Sequence, residues 1–295
     1  MASTISNLRT IVEYLSRKIG PRPYSRPDLL KRVKDYIANK FDELGLAVWF
    51  QEFSYNRETY WNVLAAKRNI FEGSVSGKLL VIGAHYDTVS GSPGADDNAS
   101  GVAGLVELAR GLGQDLPDNV LLCAFTLEEP PCYRTRHMGS YKVAKLLRKN
   151  RVRLHGMISL EMLGYFSDRP GSQSFPLPLM RNIYPDRGNF IGIVGNLWSR
   201  KFTEEVKSGF LKAGLIPTES LSAPFFVIGA DLSDHWSFYK FGYKATMITD
   251  TAFYRNPHYH RITDLPETLD FDRMAKVVES LRYYVLDMSS SNSGL

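Results

Sequence analysis

The chain has 295 residues, enough for one large α/β domain or two small ones. Hydrophobic residues make up 44% and charged residues 23%, which excludes a disordered, collagen-like or coiled-coil protein. The longest apolar runs fall far short of the roughly 20 residues of a membrane helix, so no membrane partner is expected. The net charge of +5 is mild, and no aromatic platform accompanies the basic residues, so nucleic-acid binding is not expected. Residues 1–9 carry no secretory signal, which favours a cytoplasmic location.

Strand and helix signals alternate along the chain, which predicts a single α/β domain with a mixed central sheet flanked by helices. Apolar residues at helical spacing over 26–44, followed by Gly45, predict an amphipathic helix within a helical segment of residues 1–45. Strands are predicted at 47–53, 61–66, 79–85, 120–127, 157–163, 190–194 and 246–249. Further helices are predicted at 100–112, 139–150, 199–214 and 271–288.

Acidic and histidine side chains stand where several predicted strands end. In a sheet with parallel strands, ligands collect at the carboxyl ends of the strands, so these side chains are expected to converge on one edge. In chain order they are His85 and Asp87, then Asp97 before a helix, Glu128 and Glu129, Glu161, and finally His258 and His260.

Histidine and carboxylate ligands suit a catalytic zinc site, which keeps one coordination position open for water. His85 and Asp87 lie two residues apart on or near a strand and project to the same side, so Asp87 is expected to hold the second ring nitrogen of His85. The adjacent pair Glu128 and Glu129 suits a division of labour in which one carboxylate binds metal and the other takes a proton from water. Each pair alone is common, and the joint pattern at strand ends carries the prediction.

Short motifs occur in the order found in a known family. They are Asn62-Val63-Leu64-Ala65, Gly83-Ala84-His85-Tyr86-Asp87-Thr88, Gly94-Ala95-Asp96-Asp97-Asn98-Ala99-Ser100-Gly101, Glu128-Glu129, Ser233-Asp234-His235 and His260. Over roughly residues 61–270 the chain resembles the co-catalytic di-zinc aminopeptidases, the relatives of bacterial leucyl aminopeptidase, aminopeptidase S, aminopeptidase Y and glutamate carboxypeptidase. The resemblance implies a single zinc-peptidase domain over residues 1–295 with a phosphorylase/hydrolase-like architecture. It also implies hydrolysis of the N-terminal peptide bond of peptides with a free N-terminus.

The same resemblance implies two Zn²⁺ ions per chain, with one held by His85 and Glu161 and the other by Glu129 and His260. Asp97 would bridge the two ions, and its peptide bond to the next residue would be cis. Glu128 would be the general base that acts on a hydroxide between the ions, and Asp87 would support it as the second catalytic residue. The charges agree, because three ligand carboxylates and one hydroxide balance two Zn²⁺ ions and spare the interior a net charge.

Two positions depart from the family pattern, and one ligand position has two candidates. Glu161 stands where the family more often has aspartate, and Pro130-Pro131-Cys132-Tyr133 replaces a glycine-rich segment. His260 is favoured over His258 as the last ligand, because Asp264 follows four residues later as a possible hydrogen-bond partner. Asp234 and His235 are expected to form a structural hydrogen-bonded pair behind the site.

The substrate's first side chain is harder to predict. Apolar residues in the segments 165–190 and 221–228 form either an apolar pocket for that side chain or the packing of the loops themselves. They are Tyr165, Phe166, Phe175, Leu177, Leu179, Phe225, Phe226 and Ile228.

Three alternatives share this fold. A glutaminyl-peptide cyclotransferase uses a single zinc and would not need the full set of five ligands. A catalytically silent binding module would have lost ligands or base, and this chain retains both. Lidded carboxypeptidases and deacylases carry an extra domain between later ligands, whereas His260 follows Glu161 by only 99 residues.

Overall fold

The computed structural model describes residues 1–72, 77–224 and 227–292. Within them the central sheet has eight strands, and its mixed character confirms the predicted fold class. The strands are β1 (Ala47–Tyr55), β2 (Glu58–Ala66), β3 (Leu79–His85), β4 (Val120–Phe125), β5 (Leu154–Glu161), β6 (Ile191–Asn196), β7 (Thr218–Ala223) and β8 (Ala245–Thr249). Their order across the sheet is β1-β2-β4-β3-β5-β8-β6-β7.

The four central strands β4, β3, β5 and β8 run parallel, so their carboxyl ends meet at one edge of the sheet. β1 and β2 pair antiparallel at one side, and β6 pairs antiparallel with β8 at the other. β7 was not predicted, because the sequence of Thr218–Ala223 is largely polar and the strand lies at the edge, parallel to β6.

Helices cover both faces of the sheet. Those of the described residues are α1 (Ala2–Glu13), α2 (Pro27–Asp42), α3 (Gly101–Leu112), α4 (Gly139–Lys149), α5 (Arg200–Ala213), α6 (His235–Tyr239) and α7 (Phe271–Asn292). α1 continues into a further helical turn at Tyr14–Ile19, and α2 begins with proline at its first position, where a missing N–H costs nothing. None of the described helices combines the length and the apolar character that crossing a bilayer requires.

Alternation along β3 divides the interior into two cores. Leu80, Ile82 and Ala84 enter the larger core beneath α1, α2, α3, α5 and α7, whereas Leu79 and Val81 face the smaller core beneath α4 and α6. Because both faces of the central strands are buried, the sequences of these strands are continuous apolar runs. The strand ends are therefore rigidly held, and the loops that leave them start from fixed positions.

Two strands end earlier than predicted, and the reason is backbone geometry. β4 ends at Phe125 because Leu127 has φ of 59°, and β5 ends at Glu161 because Met162 has φ of 53°. Residues other than glycine rarely adopt such left-handed angles, at a cost of about 1–3 kcal/mol each, and they concentrate at functional sites. Here each turn directs the chain out of the sheet beside a glutamate of the candidate site.

Candidate metal centre

Five side chains from five separate segments meet at the carboxyl edge of the sheet. His85 ends β3, Asp97 precedes α3, Glu129 follows β4, Glu161 ends β5, and His260 lies in the loop after β8. The Nε2 atom of His85 lies 3.3 Å from Oδ1 of Asp97 and 3.3 Å from Oε2 of Glu161. The Nε2 atom of His260 lies 3.1 Å from Oδ2 of Asp97 and 3.4 Å from Oε2 of Glu129. Asp97 thus offers one oxygen to each of two donor sets.

These distances match those between ligands that share a zinc ion. With zinc about 2.0–2.2 Å from each nitrogen or oxygen in a tetrahedral site, neighbouring ligand atoms lie about 3.3 Å apart. Within the described residues, three groups could hold a metal ion: two share Asp97, namely His85, Asp97, Glu161 and Asp97, Glu129, His260, and the third is His85, Glu128, Glu129. The five residues are therefore brought together in the two sets that the family resemblance implies.

The electrostatics of the centre favour a bound cation. Burial alone would lower the pKa of both histidines, but the facing carboxylates outweigh it and raise the pKa of His85 well above its usual value and that of His260 to about 10. Burial raises the pKa of Glu129 to about 7, and its Oε1 is buried without a hydrogen-bond partner. A metal ion would supply the positive charge that protons on the imidazoles otherwise provide, so the donor set fits metal.

The turn that carries Asp97 has a strictly determined backbone. The peptide bond between Asp97 and Asn98 is cis, as the resemblance implies. Gly94 has φ of 62°, and a Cβ atom there would lie 2.3 Å from the carbonyl oxygen of Asp97, so no other residue fits. The Asn98 side chain donates to the carbonyl of Leu160 and accepts from the amide of Met162, which ties this turn to the end of β5.

Asp87 contacts His85 differently from the predicted way. Its main-chain carbonyl oxygen lies 3.2 Å from Nδ1 of His85, whereas its carboxylate oxygen is 3.6 Å away, too far for a hydrogen bond. The carboxylate instead accepts the backbone N–H groups of Glu128 and Glu129, each at 3.1 Å. The carboxylate is thus close to the His85 ring nitrogen, as predicted, but its hydrogen bonds are made to the amides of the two glutamates, and the main-chain carbonyl of Asp87 lies nearer to the ring.

Asp264 also accepts backbone N–H groups, on the other side of the centre. Its carboxylate accepts the N–H groups of Asp96 at 2.8 Å and Asp97 at 3.1 Å, and it makes no hydrogen bond to His260 in the described structure. The predicted pairing of Asp264 with His260 is therefore wrong, although the choice of histidine agrees with the geometry. His258 turns away, with Nδ1 at 3.0 Å from the Thr263 hydroxyl.

The Ser233-Asp234-His235 motif also differs from its prediction. Asp234 and His235 make no hydrogen bond to each other among the described contacts, because Nε2 of His235 lies 3.0 Å from the Ala230 carbonyl. The useful member is Ser233, whose hydroxyl donates to Oε2 of Glu161 at 2.7 Å. This bond positions the carboxylate that faces His85. The sequence does not predict it, because the serine and the glutamate lie 72 residues apart.

Glu128 lies beside the donor sets without belonging to the bridged pair. Its Oε2 is 3.9 Å from Nε2 of His85, and the side chain is buried. Burial raises the pKa of Glu128 well above its ordinary value, and the carboxylates of Glu129 and Glu161 raise it further. Glu128 is thus a buried carboxylate directly beside the two donor sets.

Sequence reasoning missed Arg22, which lies behind the centre and is fully buried. Among the described residues, the guanidinium donates to five main-chain carbonyls: those of Tyr86 at 2.6 Å, Pro93 at 2.8 Å, Gly94 at 3.2 Å, and Leu15 and Gly20 at 3.3 Å. Burial lowers the pKa of Arg22 to about 10, so the group remains charged at neutral pH. Arg22 therefore joins the N-terminal segment to both the His85 and the Asp97 loops. The sequence pattern around Arg22 gives no signal of this contact.

A second missed residue is Tyr259, which borders both the centre and a neighbouring cleft. Its ring stacks on that of His260 with centroids 3.8 Å apart. Burial, and then the carboxylates of Asp97 and Glu129, raise the pKa of the phenol far above its usual value, so it remains a neutral O–H donor. Its position directly before a candidate ligand was the one available signal.

The neighbouring cleft has a volume of about 820 Å³, its open mouth included. Phe175 and Ile228 of the predicted pocket residues line it, whereas Leu177 and Leu179 are exposed to solvent. Phe166 packs instead against arginine side chains, Tyr165 contacts His258, and the predictions for Phe225 and Phe226 lie outside the described residues. The other large apolar and aromatic residues that line the cleft are Pro176, Met180, Tyr184, Phe190, Val194, Leu221, Leu232, Met247, Phe253, Tyr254 and Tyr259.

The model of peptidase family M28 matches residues 69–285, which is most of the chain and includes every residue of the candidate centre. The chain belongs to peptidase family M28. The family membership confirms the predicted kinship with a family of hydrolases. The chain is also 41% identical over 283 residues to the uncharacterized protein YfbL of Escherichia coli K12, and the match covers 93% of this chain and 85% of that protein.

More distant proteins extend the comparison. Leucine aminopeptidase 1 of Emericella nidulans is 26% identical over 260 residues, and the match covers 83% of this chain but only 58% of that protein. The zinc aminopeptidase BSAP of Bacillus subtilis superposes with a TM-score of 0.74 at 16% identity, covering 96% of this chain and 95% of BSAP. The glutaminyl cyclase of Fimbriiglobus ruber superposes with a TM-score of 0.70 at 20% identity, covering 96% and 94%. These structures share the fold, and the fold alone does not separate the two activities.

Proposed function

We propose that this M28 protein is an aminopeptidase that hydrolyses the N-terminal peptide bond of peptides with the help of two zinc ions. The observation that supports it best is the pair of donor sets that share Asp97, with Glu128 beside them. The leucine aminopeptidases among its relatives support the direction of attack from the free N-terminus. The residues 1–295 would act as one catalytic domain.

In this proposal His85 and Glu161 would hold one ion, Glu129 and His260 would hold the other, and Asp97 would contribute to both. Bound zinc would polarise the scissile carbonyl and lower the pKa of a water molecule. Glu128 takes one proton from the attacking water and transfers it to the leaving nitrogen as the carbon–nitrogen bond breaks. Tyr259 offers its neutral O–H to the carbonyl oxygen as negative charge develops there.

A single-zinc glutaminyl cyclase is the second candidate, because such enzymes share the fold. The donor set argues against it. A single ion needs three protein ligands, and here His260 and Glu129 face one oxygen of Asp97 while His85 and Glu161 face the other. The two sets would leave two ligands without a metal in a single-zinc enzyme.

The test is metal content together with hydrolysis. We expect two zinc ions per chain by elemental analysis of the zinc-replete protein, and cleavage of aminoacyl amides that have a free amine. N-acetylated versions of the same substrates should not be cleaved, and chelation should abolish activity that zinc then restores. No more than one tightly bound ion, with cyclisation of N-terminal glutamine, would identify a cyclase instead.

Asp87→Asn is expected to retain the fold but to reduce zinc affinity or kcat by about 10 to 100-fold. The carboxylate accepts two N–H groups, and an asparagine side chain would place an NH₂ donor against one of them. Zinc competition with a chelator and steady-state kinetics measure the two effects separately. Asp28→Asn is the matched control, since Asp28 is exposed and pairs only with Arg26 among the described salt bridges. Equal behaviour of the two variants would contradict the positioning role.

A further inference from the structure

The floor of the cleft is a face of the sheet, and the strand register orders the residues along it. Glu161 pairs with Thr249, Thr249 with Gly192, and Gly192 with Glu219, so these four residues form one row across β5, β8, β6 and β7. Residues directly opposite one another in paired strands project to the same face. At about 4.8 Å per strand, the row places the Cα of Glu219 about 14 Å from that of Glu161.

The row connects the metal centre to the far wall of the cleft. Glu161 and Glu219, its two ends, both line the cleft. Gly192 between them has no side chain, and Thr249 beside it has a small one. All four residues of the row line the cleft, so its floor connects the two glutamates across a glycine and a threonine.

The charge of the cleft is one-sided. Among its described lining residues the acidic side chains are those of Glu161 and Glu219. No lysine, arginine or histidine is found among these lining residues. Glu161 faces His85 at the metal end. Glu219 lies beyond, with its side chain 33% exposed, and its ion-pair partner Lys207 is on α5 with Nζ 3.7 Å away. That separation exceeds a normal hydrogen bond, so Glu219 keeps acceptor capacity for a ligand.

The walls suit the stem of a long side chain. The row beside the floor consists of Met247, Val194 and Leu221 on the same three outer strands. Phe175 and Tyr184 stack with centroids 5.8 Å apart, and the Tyr184 hydroxyl donates to the carbonyl of Ser220, the residue after Glu219. An apolar channel with aromatic walls and one carboxylate at its end accommodates the aliphatic stem of a basic residue and pairs its charge.

We propose that Glu219 makes this cleft selective for peptides whose first residue is lysine or arginine. The inference rests on the proposed aminopeptidase function and specifies its substrate class. A lysine or arginine side chain extends about 6–7 Å from its Cα, far enough to carry its charge from the metal end toward Glu219. A leucine side chain is too short to reach Glu219, so the Glu219 carboxylate then keeps Lys207 as its ion-pair partner.

The experiment compares side chains that differ only in charge. On the zinc-loaded protein, kcat/KM is measured for lysyl against norleucyl and for arginyl against citrullyl coumarin amides. We expect the charged member of each pair to be preferred by about 10-fold or more, and we expect Glu219→Gln to reduce that preference by about 10 to 100-fold. Lys207→Met should increase the preference, because it removes the competing cation.

Glu204→Gln is the matched control. Glu204 lies on α5 and accepts the Ser220 hydroxyl, so it is next to the same strand but does not line the cleft. Its replacement should leave both ratios unchanged. A wild-type preference for norleucyl, or unchanged ratios in Glu219→Gln, overturns the inference.

If no aminoacyl amide is cleaved, the proposed function fails, and direct binding decides the inference separately. Calorimetry then compares L-lysine with L-norleucine on the wild-type protein and on Glu219→Gln. Tighter binding of lysine that depends on Glu219 supports selectivity of the cleft, and equal binding refutes it.

Discussion

Glu128→Gln is expected to leave both zinc ions bound while kcat falls by about 10² to 10⁴-fold or more. Glutamine has the size of glutamate and still forms hydrogen bonds, but it cannot accept the proton of the attacking water. Glu128 belongs to neither of the two sets that share Asp97, so its loss should not reduce metal content. Elemental analysis and steady-state kinetics on the same preparation measure both quantities.

Glu129→Gln is the matched neighbour and should behave differently. It removes an anionic ligand from the set formed with Asp97 and His260, so one zinc should be lost together with the activity. The two variants then lose activity for different reasons. If Glu128→Gln lost metal and Glu129→Gln did not, the roles would be reversed, and if neither slowed hydrolysis, this centre would not be the active site.

Replacement of Arg22 should have the largest effect on stability. Arg22→Met leaves five buried carbonyl oxygens without their charged donor, so the free energy of unfolding should fall by at least about 3–5 kcal/mol. The segment that follows His85 and the turn that carries Asp97 lose their common support, and zinc affinity should fall as well. Urea unfolding of the metal-free protein and chelator competition separate the two effects.

Two further variants test the assignment of Arg22. Arg26→Met lies in the same segment but removes an exposed pair with Asp28, which should cost less than about 1 kcal/mol. Arg22→Lys retains the charge with fewer donors, so it should recover part of the zinc affinity if the charge itself stabilises the acidic centre. Normal zinc affinity in a destabilised Arg22→Met protein would limit the residue to a structural role.

Much of the fold follows from the sequence because its central strands are buried on both faces. Their apolar runs are conspicuous, and the predicted 79–85 coincides with β3. The polar edge strand β7 and the short helix α6 give no such signal, since the first pairs on one side only and the second spans five residues. Strand ends set by left-handed residues such as Leu127 are equally invisible, because leucine does not favour that geometry.

The sequence likewise predicts some parts of the site and not others. The five candidate ligands could be predicted because they carry chemistry at strand ends and because their motifs resemble a known family. The contacts that hold them could not, because most of these contacts are made to backbone amides and carbonyls distant in sequence. Asp264 accepts from Asp96 and Asp97 across 168 and 167 residues, and Arg22 donates to Gly94 across 72. Main-chain partners leave no mark in the composition of a segment.

These long separations have a consequence for the order in which the centre is made. His85 and Asp97 are synthesised early, but the amides of the Asp97 turn receive their acceptor only when Asp264 has emerged from the ribosome. Contacts of high sequence separation form late and slowly, because the intervening chain must first be ordered. Zinc loading should therefore follow folding rather than guide it, and the rate at which refolding chains acquire tight zinc binding should report the last step of assembly.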